Sequence, residues 1–92
     1  MEGTSKMKKL THTVTDKNGI HARPAGLLVK TAAEFSSDIL ISCNGRVSDC
    51  KKLLRVMAMG IKYGEEIVIS AEGEDDEAAI EAISDIIAKI NL

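Results

Sequence analysis

The sequence predicts a small mixed fold of four strands and three helices, in the order strand, helix, strand, strand, helix, strand, helix. Three observations lead there. Short stretches alternate apolar and polar residues, as half-buried strands do. Two longer stretches, 24–35 and 75–90, repeat apolar residues at helical spacing. Between two candidate strands stands Asn44-Gly45, the dipeptide of a tight antiparallel hairpin.

Each element has its own signal. Leu10, His12 and Val14 alternate with Lys9, Thr11 and Thr13, which predicts a first strand. Asp16-Lys-Asn-Gly19 is a turn. From Pro24 to Phe35, the residues Ala25, Leu28, Val29, Ala32 and Phe35 fall on one stripe of a helix. Proline suits its first turn because the missing N–H would lack an intrahelical partner. Ser37 to Cys43 is an isoleucine-rich strand, and Arg46 to Asp49 is its short return. A two-residue turn pairs Cys43 with Arg46 and Cys50 with Ile39, so the two cysteines do not face each other. Lys51 to Met59 is a short helix closed by Gly60, and Glu66 to Ala71 a further strand. Asp75 to Ile90 is the last helix, with Ala79, Ile83, Ile86, Ile87 and Ile90 as its buried stripe. Acidic residues crowd its start and Lys89 sits near its end, as the helix dipole prefers.

Composition bounds the rest. Ninety-two residues make one domain, 7–92, with residues 1–6 a patternless tail or remnant ahead of a natural start at Met7. Aromatics are 2% of the chain, so the core is aliphatic and base stacking on nucleic acid is disfavoured. No apolar run approaches the ~20 residues of a membrane span. Two unpaired cysteines fit a reduced, cytoplasmic protein. Charge is uneven. Residues 1–63 hold 11 Lys/Arg against 5 Asp/Glu, or +6; residues 64–92 hold one lysine against 9 Asp/Glu, or −8; together they give the net −2. The basic part includes Arg23, Lys30, Lys51, Lys52 and Arg55, a set able to attract an acidic or phosphorylated partner.

The most informative run is Gly19-Ile-His-Ala-Arg-Pro-Ala25. It sets His21 at the amino end of a helix with Arg23 beside it. Free N–H groups and the dipole favour an anion there. An imidazole ordinarily titrates at about 6.5 and is largely neutral and nucleophilic at neutral pH. A phosphoryl group on that ring would meet backbone donors and a guanidinium. His21 is therefore read as a residue that accepts and donates phosphate. A metal site shared by His12 and His21 is not expected, for no ligand set is spaced around them. The acidic run Glu72–Glu77 lacks the alternation of a calcium loop and is a charged turn. Met57 and Met59 diverge on a helix, so only one is expected to face a partner.

From Met7 onward the chain resembles the HPr family, the histidine-containing phosphocarriers of the bacterial phosphoenolpyruvate-dependent sugar phosphotransferase system. The resemblance is carried by the His21 run, by Leu28-Val-Lys-Thr-Ala32, by Asn44-Gly45, by Lys51 to Gly60 and by Gly64-Glu-Glu-Ile67. It implies an α+β open-faced β-sandwich, a four-stranded antiparallel sheet with three helices on one face. It implies a phosphoryl group on Nδ1 of His21, delivered by enzyme I and removed by enzyme IIA domains, with Arg23 as companion and the amides of Ala22 and Arg23 as donors. It implies a docking surface of Gly26, Lys30, Leu53, Leu54, Arg55 and Met57, with Lys51 nearby. The implied protein is a monomeric carrier that needs no cofactor and is not a free-standing enzyme; regulatory proteins are further partners. One position departs from the pattern. Many members carry a serine where this chain has Lys52, and in Gram-positive-type relatives a kinase modifies that serine. Lysine cannot serve that switch or cap a helix, although Asp49 is placed to compensate in part. The alternative reading is an HPr-like regulatory binding module in a nitrogen- or regulation-linked branch of the system.

Overall fold

In the computed structural model, which describes residues 7–92, the chain builds β1 (Met7–Thr13), α1 (Ala22–Ala33), β2 (Asp38–Cys43), β3 (Arg46–Asp49), α2 (Leu53–Ala58), β4 (Glu66–Glu72) and α3 (Asp76–Lys89). The expectation for residues 1–6 lies outside the described residues. The four strands form one antiparallel sheet in the order β1-β4-β2-β3. The hairpin has the predicted register, with Cys43 opposite Arg46 and the Cys50 N–H on the Ile39 carbonyl at 2.8 Å. Asn44 (φ 51°) and Gly45 (φ 81°) both adopt positive φ, as the two-residue turn requires.

Alternation along the strands decides which face is covered. Ile39, Ile41 and Cys43 of β2 are buried, as are Ile67, Ile69 and Ala71 of β4. The residues between them, Leu40, Ser42, Val68 and Ser70, are exposed or half-buried on the open face. The helices cover the buried side. Ala25, Leu28 and Ala32 of α1 and Ala79, Ile83 and Ile87 of α3 complete an aliphatic core. Both thiols lie in it unpaired. Burial raises the pKa of each, and that of Cys50 reaches about 12.

Two helix starts differ from the sequence reading. The first helix begins at Ala22, two residues before the expected Pro24, and the second begins at Leu53 rather than Lys51. Proline only disfavours helical geometry in the residue before it, and Arg23 adopts it regardless. At α2, Asp49 accepts the Lys51 N–H on Oδ1 at 2.8 Å and the Lys52 N–H on its carbonyl at 3.1 Å. That turn delays the helix. Asp49 thus caps the turn ahead of α2 and not the helix itself.

Candidate functional site

The loop from β1 to α1 carries His21, and it is pinned on three sides. Val14 exchanges backbone hydrogen bonds with the stretch before β4, donating to Glu65 and accepting from Gly64, both at 2.9 Å. Thr15 and Asp16 donate to the Leu92 carbonyl at 2.5 and 3.1 Å. Ile20 donates to the Ile61 carbonyl at 3.0 Å. Gly19 is held against the same segment. A Cβ there would stand 2.3 Å from the Ile61 oxygen, and its φ is +67°. Only glycine meets both conditions without displacing backbone. His21 consequently reaches the helix from a fixed platform.

His21 is the N-cap of α1, with extended backbone (φ −87°, ψ −172°), and its ring makes no cap hydrogen bond. The ladder opens with the Ala25 N–H on the His21 carbonyl at 3.0 Å. Pro24 has no N–H, so Ala22 and Arg23 carry the first-turn amides that have no partner inside the helix. A histidine ring, two first-turn amides and a guanidinium therefore share one helix end.

The ring faces a surface cleft of about 350 Å³ lined by Asp16, His21, Arg23, Pro24, Leu27, Lys89 and Ile90. Sequence reasoning had not singled out Asp16 or Lys89 for this site. The Asp16 Oδ2 lies 3.4 Å from His21 Nε2, and both side chains are partly exposed. Asp16 Oδ1 accepts the Asn18 N–H at 2.9 Å. That backbone bond, assisted by the His21 ring, holds the Asp16 carboxyl below its ordinary pKa against a partial desolvation cost. The turn Asp16-Lys-Asn-Gly19 was legible, but nothing in it said that its first side chain turns toward the histidine. Lys89 arrives from α3, 68 residues along the chain (89 − 21), a placement that only the packing of α3 against α1 creates.

The proposed docking residues divide. Leu53, Leu54 and Met57 expose 39%, 79% and 37% of their surface, while Met59 is buried, so one methionine of the pair faces outward as expected. Arg55 and Lys30 are exposed, and open space stands above Gly26. Lys51 differs: it is half-buried, and its Nζ donates to the Phe35 carbonyl at 2.7 Å. It ties β3's exit to the end of α1 instead of standing free at the rim. His12 is half-buried on β1. Among the described residues no three His, Cys, Asp or Glu side chains converge as a metal site, and no helix is long and apolar enough to cross a membrane.

Residues 8–89 match the family described as PTS HPr component phosphorylation site. The phosphocarrier protein HPr of Mycoplasma capricolum subsp. capricolum is 49% identical over 77 residues, covering 84% of this chain and 86% of that protein. A histidine-containing phosphocarrier structure from a study of mycoplasma and Gram-positive divergence superposes with a TM-score of 0.89 at 44% identity, over 90% of this chain and 94% of that one. The phosphocarrier protein HPr of Bacillus anthracis str. Ames gives 0.79 at 38% identity, over 87% and 95%. With a family match over residues 8–89, a relative 49% identical and solved structures of the same fold, this chain belongs to the HPr family of phosphotransferase-system phosphocarriers.

Proposed function

We propose that His21 accepts a phosphoryl group from phosphorylated enzyme I on Nδ1 and passes it to an enzyme IIA domain. The observation that carries this reading is the exposed imidazole at the amino end of α1, beside two amides with no helical partner and Arg23. The Nδ1 lone pair attacks phosphorus, and the bond to the donor breaks with its electron pair leaving on the donor. Negative charge on the transferring oxygens meets the Ala22 and Arg23 N–H groups and the Arg23 guanidinium. Lys89 adds a positive charge to the same cleft. The second transfer reverses these events toward a new acceptor.

The exposed apolar residues of α2, rimmed by Arg55 and by Lys30 of α1, supply the docking face for both partners. Lys52 stands where a regulatory serine would be, so the kinase-operated switch does not transfer to this chain. Two free, buried thiols fit a reducing compartment, and a cytoplasmic monomer suffices for the role.

Incubation with phosphoenolpyruvate and enzyme I, read by intact mass, tests the proposal. One phosphoryl group should be added, lost in acid and kept in alkali, because a phosphoramidate leaves once its nitrogen is protonated. His21→Ala should gain no mass. An acid-resistant adduct on that variant would place the chemistry elsewhere and end the carrier reading.

A further inference from the structure

We propose that Asp16 is a positioning residue for phosphoryl transfer: its carboxylate holds the His21 ring through Nε2–H, leaving Nδ1 as the nucleophile and keeping the phosphorylated ring in its protonated, transfer-ready form. The proposal rests on the carrier reading above.

The geometry begins with an ionised carboxylate, which can only accept hydrogen bonds. The ring nitrogen facing Asp16 is Nε2, at 3.4 Å, so the tautomer that this contact favours carries its proton there. The lone pair then lies on Nδ1. The carboxylate is itself placed from several directions. Its Oδ1 is engaged by the Asn18 N–H at 2.9 Å, which leaves Oδ2 for the ring. Its backbone donates to the Leu92 carbonyl at 3.1 Å and accepts the Gly19 N–H at 2.8 Å. The other charged groups that line the cleft are Arg23 of α1 and Lys89 of α3, both positive. They suit a phosphoryl dianion and oppose a cationic ring. Asp16 is the acidic side chain among the cleft-lining residues, and it opposes their charge at the ring.

The consequence follows from balancing the transfer. When Nδ1 of the Nε2–H tautomer forms its bond to phosphorus, the ring becomes an imidazolium carrying phosphorus on Nδ1 and a proton on Nε2. When that bond breaks, its electron pair returns to Nδ1 and a neutral imidazole leaves, with no proton moved. If the Nε2 proton is lost in between, the leaving group becomes an anionic ring and release slows. Asp16 keeps the proton in place by pairing with the cation.

Asp16→Asn separates the charge from the shape. The amide oxygen can still accept the Asn18 N–H, which turns the NH2 group toward Nε2, and that group can only donate. In the unphosphorylated protein, nitrogen-15 NMR of His21 should show mainly Nε2–H in the native chain and a shift toward Nδ1–H in Asp16→Asn. In the phosphorylated protein, phosphate release to water should be about two- to fivefold slower at neutral pH in Asp16→Asn, the scale of a partly exposed ion pair. Its pH profile should move to lower pH and meet the native rate in acid, where the ring is protonated regardless. Asp16→Glu should restore the native profile. An unchanged tautomer, or release slowed equally at every pH, would overturn the inference while leaving phosphorylation of His21 intact. A native chain that takes no phosphoryl group would end the carrier reading instead, and the tautomer measurement would still decide where Asp16 holds the ring.

Discussion

Asp75 is the most heavily engaged carboxylate among the described residues. Its Oδ2 accepts the Ser36 N–H at 2.8 Å and the Ser36 hydroxyl at 3.3 Å; its Oδ1 accepts the Ser37 N–H at 2.9 Å and the Ser37 hydroxyl. These bonds join the entry of β2 to the start of α3. Gly73 sits against the same serine, where a Cβ would meet the Ser37 Oγ at 2.6 Å. The Ser37 hydroxyl, followed by the Ser36 amide, holds the Asp75 carboxyl down at about 2, against 3.8 ordinarily. A carboxyl with a depressed folded value stabilises the fold above its unfolded value and loses that contribution as pH falls through the folded one. Stability should therefore decline between about pH 4 and pH 2. Melting temperature followed by circular dichroism should be lower at neutral pH for Asp75→Asn, with a shallower acid decline. An identical acid slope in the variant would show that this carboxylate does not set it. The sequence made the acidic run a turn and a helix start, which it is, but its serine partners lie 38 and 39 residues away.

At the scale of elements, periodicity was a good guide and helix starts were not. The α1 and α3 stripes and the hairpin register were legible because each depends on neighbours in sequence. The start of α2 depended on Asp49 engaging the backbone ahead of it, a local competition that apolar spacing cannot show. Lys52 ends up as the N-cap, extended and without a side-chain cap bond. A serine there would accept an N–H of the first turn and remove a cation from the positive end of the dipole. Lys52→Ser should thus raise stability by roughly 1 kcal/mol, seen in urea melts. It should also create an acceptor for the serine kinase of Gram-positive-type relatives. Modification of the unaltered chain by that kinase, at Ser48 or any other serine, would contradict this account.

For the whole molecule, the placement of apolar surface matters most. Seven large hydrophobic side chains are exposed among the described residues, and three of them, Leu53, Leu54 and Met57, share the six residues of α2. That concentration fits the docking face proposed above. Arg55 at its edge should act on association, and the leucines on dissociation. Arg55→Glu should slow phosphoryl transfer from enzyme I strongly at low salt and less at high salt, where screening already weakens attraction. Leu54→Ala should slow transfer with little salt dependence. Stopped-flow mixing at several ionic strengths reads both; an unaltered rate for Arg55→Glu at low salt would remove that residue from the docking face. The placement of the histidine and the arginine at a helix start could be read from the chain because motif and spacing carry it, whereas the docking surface came only with the family resemblance. Asp16 and Lys89 could not, since their approach to His21 depends on how the loop turns and how α3 packs.

The two cysteines give the molecule a further property. Cys50 is wholly enclosed and Cys43 nearly so, and neither sulfur is appreciably ionised at neutral pH. An alkylating reagent needs both access and thiolate. The folded protein offers neither, so covalent labelling counts excursions in which the core opens. Cys43 ends β2 and Cys50 follows β3, so both clocks sit on the hairpin and time the same corner of the sheet. A difference between their rates would date the fraying of that hairpin apart from the opening of the whole.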